Sequence, residues 1–413
     1  MKIIFIVPTN DLRRFPLYRW GSMSYGHMNS ISGPLILAEK FKEETNAKVI
    51  IGGIHASAMP EEALKHSDQV VVGEAENVIL DLVEGRNKEK IIYAEYIKDL
   101  DKIPFPDYSL LKTPFSCANV MTTRGCPFSC SFCSTSRMFY PYRKRSIDNI
   151  IKELKIYKKK GIKYMNFEDD NFTADKERTK QICRRMIDED LVFKETFYFG
   201  RIDMAEDEEM LQLLEKANLN RVLIGVETLN QESLDMINKN QNTEDIEKCV
   251  EVFSKYKIRL IVSLVLGIDG DDEKDIKKGV EFAKRIKAYQ LQPAILTPLP
   301  GTPLFNDFID KNRMISLNWD HYDFMNVTFK PKKMSPWELQ KQFYISNYKF
   351  YTFFSSFKIW KKFDFFSGMR RIFLSISVKI GYLFALFASN FIKNTHLYNL
   401  RHKYNNIDKR SKL

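Results

Sequence analysis

The chain has 413 residues, a formal net charge of +11, 13% aromatic residues and six cysteines. Thiols this sparse, with no secretory leader expected ahead of them, argue against a disulfide-stapled scaffold and for a reducing compartment. The charge is lopsided: residues 333–413 hold 15 Lys+Arg against 3 Asp+Glu, while the preceding 332 residues carry 49 against 50. A basic surface for an acidic partner is therefore sought only at the C-terminal end.

In chain order, the strand-like KIIFIV (2–7), a helix over about 33–44, the strand VIIGG, a helix opened by Pro60-Glu61-Glu62, and QVVVGEAE before a last helix predict a small doubly wound α/β unit. His55 follows the second strand, where it either faces a ligand or stands in a solvated loop. The Pro-punctuated DKIPFPDYSLLKTP then reads as a linker.

ANVMTT (118–123) leads into Thr-Arg-Gly-Cys-Pro-Phe-Ser-Cys-Ser-Phe-Cys, which carries Cys126, Cys130 and Cys133. Three thiolates facing the four irons of a cubane cluster leave one iron open to a chelating small molecule. A zinc site would need a fourth ligand, and Cys117, His66 and His321 are not in local reach; zinc and unliganded core cysteines remain the competing readings. Cys183 and Cys249 sit in helix-like patterns and read as small buried hydrophobes.

After Cys133 the pattern alternates. A helix runs from Ser146, as N-cap, to Gly161. IKYMNFE, a helix from Asp175, TFYFGRI, a helix from Asp207, RVLIGVE, helices over 231–256, RLIVSLVLG, a helix over 272–288 and LQPAILT follow. Six strands with intervening helices fit a partial (β/α)6 TIM-type barrel, in which chemistry sits at the strands' C-terminal ends.

The Cys-x-x-x-Cys-x-x-Cys spacing, with Phe132 before the last cysteine, resembles that of radical S-adenosylmethionine (SAM) enzymes. Length and element order resemble their branch with an N-terminal cobalamin-binding-type domain, over about residues 47–335. The resemblance implies a 4Fe–4S cluster on Cys126, Cys130 and Cys133 that cleaves SAM to a 5′-deoxyadenosyl radical, which abstracts hydrogen from an unactivated carbon. For SAM it implies Phe132; an ammonium contact among Glu168, Asp169 and Asp170, where the family shows Gly-Gly-Glu; Arg201 at the SAM carboxylate; Glu227 with Thr228 at the ribose; and Gly267 and Gly270 at adenine. Strand-end acids and glycines also serve helix dipoles and turns. GGIHASAMPEEALKHSDQVVVGEAE (52–76) matches the late part of the cobalamin-binding domain, but no Asp-x-His-x-x-Gly is present and the unit reads as shortened. Cobalamin is thus an open cofactor.

Between Phe343 and Phe366, twelve of twenty-four residues are aromatic, and IFLSISVKIGYLFALFASNFI (372–392) has one charge, Lys379. Interfacial membrane contact, a soluble helical cap and a transmembrane anchor compete for this tail. RNA is set aside, because the similar RNA-modifying enzymes carry a second cysteine-bearing N-terminal domain and here the first cysteine is Cys117. The expected organisation is a shortened Rossmann-like unit (1–97), a linker (98–117), the radical SAM core (118–315) and a helical, basic, aromatic extension (316–413). The expected activity is hydrogen abstraction from an apolar, lipid- or isoprenoid-like substrate. Cobalamin-dependent C-methylation is the alternative, and a non-catalytic iron–sulfur or zinc docking protein the contrasting class. A flavodoxin- or ferredoxin-like electron donor and peripheral contact at the inner membrane face through 343–413 complete the expectation.

Overall fold

The computed structural model describes residues 3–6, 32–108, 116–352, 365–393 and 395–404. Residues 2 and 7 of the first expected strand, 109–115 of the linker and 353–364 of the aromatic stretch lie outside the described residues.

The N-terminal unit contains β1 (Ile3–Ile6), α1 (Ser32–Glu44), β2 (Lys48–Ile51), α2 (Ile54–Ala58), α3 (Pro60–His66), β3 (Gln69–Gly73), α4 (Ile79–Val83) and β4 (Ile91–Ala94). Its strands pair in parallel in the order β1-β2-β3-β4, with no reversal of order among the described strands. The strand β4 was not legible in advance: IIYA is only four residues long and carries no alternation of apolar and polar positions. His55 is neither ligand-facing nor solvated. Gly53 opens α2 and turns the ring inward, where Nε2 lies 2.9 Å from Glu62 Oε2 and the ring meets Trp319 edge-on at 5.1 Å. Burial lowers its pKa.

The central sheet holds β5 (Cys117–Val120), β6 (Tyr164–Phe167), β7 (Glu195–Gly200), β8 (Arg221–Glu227), β9 (Arg259–Leu266) and β10 (Gln290–Ile295). All six are parallel and adjacent in chain order, the topology of a partial barrel. Between them run α5 (Ile147–Lys159), α6 (Lys176–Asp188), α7 (Glu208–Lys216), α8 (Gln231–Met236), α9 (Thr243–Ser254) and α10 (Glu273–Arg285). The expected caps are in place: Ser146, Asp175 and Asp207 each accept from the backbone N–H three residues on, and Asp272 forms a capping box with Asp275. A two-strand hairpin, Thr123–Arg124 against Arg143–Lys144, closes the base of the cysteine loop.

Downstream, α11 (Pro303–Asp310) and α12 (Pro336–Phe350) continue the structure. The second of these packs on β10 and α10. Leu339, Phe343, Phe350 and Tyr351 are buried in the main core, and the Tyr351 hydroxyl donates to Leu291 O at 2.8 Å. Truncating one such large side chain costs about 3–5 kcal/mol, so residues 343–351 are part of the folded body and the cap reading holds for α12. The tail helix α13 (Phe365–Phe391) contains, over Ile372–Phe391, a stretch apolar and long enough to cross a membrane.

Candidate active site

The cysteine loop leaves the C-terminal end of β5 and is held from several sides. At its start, the buried Asp169 Oδ1 accepts from both the backbone N–H and the hydroxyl of Thr122 and of Thr123, at 2.9 and 3.0 Å for Thr122 and 2.6 Å for the Thr123 hydroxyl. Gly125 has φ +81°, and a side chain there would meet Phe139 O at 2.5 Å; only glycine lets the loop and its return strand approach this closely. Further along, Ser131 N–H donates to Ile237 O at 3.0 Å, Asn238 Nδ2 donates to Ser129 O and Oγ, and Leu304 N–H donates to Ser131 O at 3.3 Å. Cys133 N–H donates to Cys130 O at 3.1 Å.

All three cysteines are free thiols. Burial pushes the Cys126 thiol up to about 11, with the charges of Cys133, Asp170 and Cys130 adding to it. Burial also raises Cys130, while Lys239 and Arg201 pull it back. Deprotonating three thiols on one sheltered loop would take a strongly cationic group among them. Among the described residues no three His, Cys, Asp or Glu side chains are gathered around a single-ion site. A closed zinc site takes four protein ligands, whereas a cubane with one open iron takes three, so the loop's donor set of three cysteines fits the cluster better than zinc.

The other expected residues divide between the cavity and the scaffold. Glu168 and Asp170 line a cavity of about 660 Å³ between the barrel mouth and the N-terminal unit. Asp169 points into the scaffold, and burial raises its pKa to about 6 against the pull of the two threonines. Arg201 is buried, stacks on Phe128 at 3.8 Å and donates through Nη2 to Lys239 O and Asn240 O at 2.6 and 3.0 Å. Glu227 has φ +64° at a register shift in β8 and pairs with the buried Lys239. A side chain at Gly225 would strike that pair. Thr228 and Ser233 both donate to Asp271 Oδ1, a buried carboxyl that desolvation raises to about 6. The space a side chain would need at Gly267 is taken by Leu339 and Phe329, and at Gly270 by Ser233. Phe132 packs against the barrel core.

Lys239, Arg124, Arg143 and Glu74 escaped the sequence reading. Glu74, at the end of β3, accepts through Oε2 from Arg124 Nη1 at 2.8 Å, Arg143 Nη1 at 3.0 Å and Ile97 N–H at 3.0 Å, and Arg124 also pairs with Glu76. These bonds pin the N-terminal unit to both strands of the hairpin. The only advance signal was Arg124 standing two positions before Cys126.

The family model for the radical SAM superfamily matches residues 120–283, which run from the end of β5 into α10 and include every cysteine of the loop. The chain carries a radical SAM catalytic domain. That domain makes it an enzyme using SAM and removes the non-catalytic docking reading. An uncharacterized methyltransferase of Pyrococcus horikoshii is 29% identical over 337 residues, 73% of this chain and 72% of that relative. The bacteriochlorophyllide d C-12(1)-methyltransferase of Chlorobaculum tepidum is 28% identical over 71% of this chain and 67% of its own length. Among solved structures, the radical SAM methyltransferase TsrM of Kitasatospora setae, with cobalamin and a 4Fe–4S cluster bound, superposes with TM-score 0.61 at 16% identity, covering 85% of this chain and 84% of that one. The shared fold thus pairs the radical SAM core with an N-terminal α/β unit.

One check on the loop's support follows. Asp169→Ala leaves four buried donors without an acceptor, each costing roughly 1–3 kcal/mol. It is expected to lower the urea midpoint sharply and to reduce the iron retained after reconstitution, whereas Asp169→Asn, which keeps an oxygen at the Oδ1 position, retains most of both. Equal iron content in the alanine variant would mean that the clamp does not position the loop.

Proposed function

We propose that this protein is a cobalamin-dependent radical SAM methyltransferase acting on an unactivated carbon of an apolar small molecule. The sequence reading placed hydrogen abstraction with coupling or rearrangement first and methyl transfer second; relatives named as methyltransferases favour the reverse order. The observation that carries the proposal is the position of the 660 Å³ cavity. Gly52, Gly53 and Gly73, at the C-terminal ends of β2 and β3, form one wall, and Glu168 and Asp170, beside the cysteine loop, form another. Strand ends that present backbone without side chains support placing a flat corrin against them, and Asp170 is close enough to Cys126 to perturb its thiol. No histidine lines the cavity among the described residues, so a lower ligand from this chain is not part of the proposal.

When bound, the cluster and cobalamin would supply, respectively, the electron that opens SAM and the methyl carrier. The chain's own residues bind and orient. Cys126, Cys130 and Cys133 hold the cluster, and Glu168 and Asp170 accept from the SAM ammonium. Arg201, fixed by Phe128 and the 239–240 carbonyls, keeps a cation beside the cysteine loop for the SAM carboxylate. Glu227, with its partner Lys239, faces the same loop and is the ribose candidate, while Gly267 and Gly270 remain the adenine candidates. Ile54, Ile79, Met121, Phe105 and Phe139 give the cavity an apolar lining that excludes water and suits an apolar substrate. A low-potential flavodoxin- or ferredoxin-like donor and a reducing cytoplasm complete the reading.

The test is anaerobic reconstitution with cobalamin, then turnover of extracts from cells lacking the protein using SAM with a deuterated methyl group. The expected result is a corrinoid absorption that survives gel filtration and a labelled methyl in one product. Cluster-dependent 5′-deoxyadenosine formation with neither corrinoid nor label would restore the coupling or rearrangement reading.

A further inference from the structure

The tail helix α13 has two unlike long faces. One is attached to the body. Ser375 donates to Tyr351 O at 2.7 Å, Val378, Ala385 and Ala388 are buried, and the Tyr382 ring meets Tyr348 at 5.8 Å. Toward its end, Ser389 accepts from Arg401 and His402, both at 3.2 Å. The other face carries Phe373, Ile376, Ile380, Leu383, Phe387 and Phe391 at spacings of three or four residues, and their exposure runs from 53% to 74%. This is a continuous apolar stripe along the helix. A monomer in water rarely leaves such a patch uncovered.

Charge says what covers it. Between Phe365 and Tyr404 the sequence has six Lys or Arg and no Asp or Glu. An anionic surface complements that excess, whereas a second copy would set the same cations against each other. The attached face argues against a span, because Ser375, Ser389 and Tyr382 would have to leave their protein partners to enter hydrocarbon.

We propose that α13 lies flat on an anionic bilayer, its stripe among the acyl chains and the positive charge of this end of the chain attracting it to the headgroups, holding the enzyme as a peripheral membrane protein. This geometry brings an apolar substrate dissolved in the membrane to the enzyme. The proposal stands independently of which reaction the cavity performs.

The experiment is sedimentation of the full-length protein with vesicles of phosphatidylcholine alone and with added phosphatidylglycerol, at low and high salt. The comparison is Leu383→Glu with Phe387→Glu, two exposed positions whose exchange leaves the core untouched. Binding to the anionic vesicles is expected to weaken with salt and to fall at least about tenfold in the double variant, with unchanged circular dichroism. Equal binding by the variant, or equal binding to both vesicle types, overturns the proposal. So does resistance of the native protein to carbonate extraction, which would mean a span, or a concentration-dependent dimer in ultracentrifugation that the variant abolishes. A single variant, Ile380→Glu, shows the same loss should the double variant lose its circular dichroism.

Discussion

Replacing Cys130 with alanine is expected to abolish reductive SAM cleavage while leaving the fold in place. Cys130 is buried at the centre of the loop, one hydrogen bond from Cys133, and its neighbours include the cations of Lys239 and Arg201. A cluster on two protein thiolates loses one anchor and exposes a second iron. Loss of even an outer partner of a metal ligand costs about 10–100-fold, so loss of the ligand itself should take 5′-deoxyadenosine formation to background. The measurement is chromatographic quantitation of 5′-deoxyadenosine with dithionite as reductant, beside iron and sulfide analysis. Alanine is close in size to the thiol it replaces, so the thermal transition should move little. Native-rate cleavage by this variant would falsify the cluster assignment on which the catalytic reading depends.

The second large effect concerns the joint between the two α/β units. Glu74→Gln keeps the shape of the side chain and removes its charge, leaving Arg143 and Arg124 buried with reduced compensation. Breaking a buried pair in this way costs about 3–5 kcal/mol. The lower end is expected here, because Arg124 retains Glu76 and Arg143 retains Ile97 O and the face of Tyr96. Against a typical stability of roughly 5–15 kcal/mol, the urea midpoint should fall visibly. Cleavage of the 98–117 linker by a protease should also accelerate.

The same residue gives a pH signature with a definite sign. Burial pushes Glu74 up, but the hydrogen bonds from Arg143 and Ile97 and the charges of both arginines outweigh it, so its pKa lies below the ordinary 4.5. Its contribution is therefore complete above that value and disappears as pH falls through the depressed native value. As pH falls below the ordinary carboxylate value and through the depressed native one, the native protein should lose stability that the glutamine variant never had, and the two curves should converge in acid. Parallel curves would mean that the carboxylate does not carry the joint.

Much of this architecture could be read in advance because its signals are local. Ser146, Asp175 and Asp207 announce helix starts through oxygen atoms that satisfy the next turn's N–H groups. The runs RVLIGVE and RLIVSLVLG are apolar on both faces because parallel strands are covered on both sides. The tail split differently from any single expectation. Among the described residues its aromatics divide between α12, whose Phe343 and Phe350 are core, and α13, whose stripe is exposed. Composition counts both alike, since it records side-chain type and not the direction a helix turns it.

The trio Glu168, Asp169 and Asp170 shows the same limit at the site. Their order along the chain says only that three carboxylates end β6. The structure turns the middle one into the scaffold, under two threonines, and leaves its neighbours on the cavity wall. Glu227 and Lys239, twelve residues apart, and Glu74 and Arg143, sixty-nine apart, are pairs that no spacing rule could propose.

Read alone, the sequence determined the cysteine spacing, the succession of six strand–helix units and the placing of all excess positive charge at one end, because each is a property of neighbours along the chain. Only the tertiary structure decided which carboxylates reach the cavity, how the N-terminal unit is bolted to the cysteine loop, and which side of α13 is left bare. Those outcomes depend on burial and on contacts between distant segments, whose free energy exists only once the chain has closed on itself.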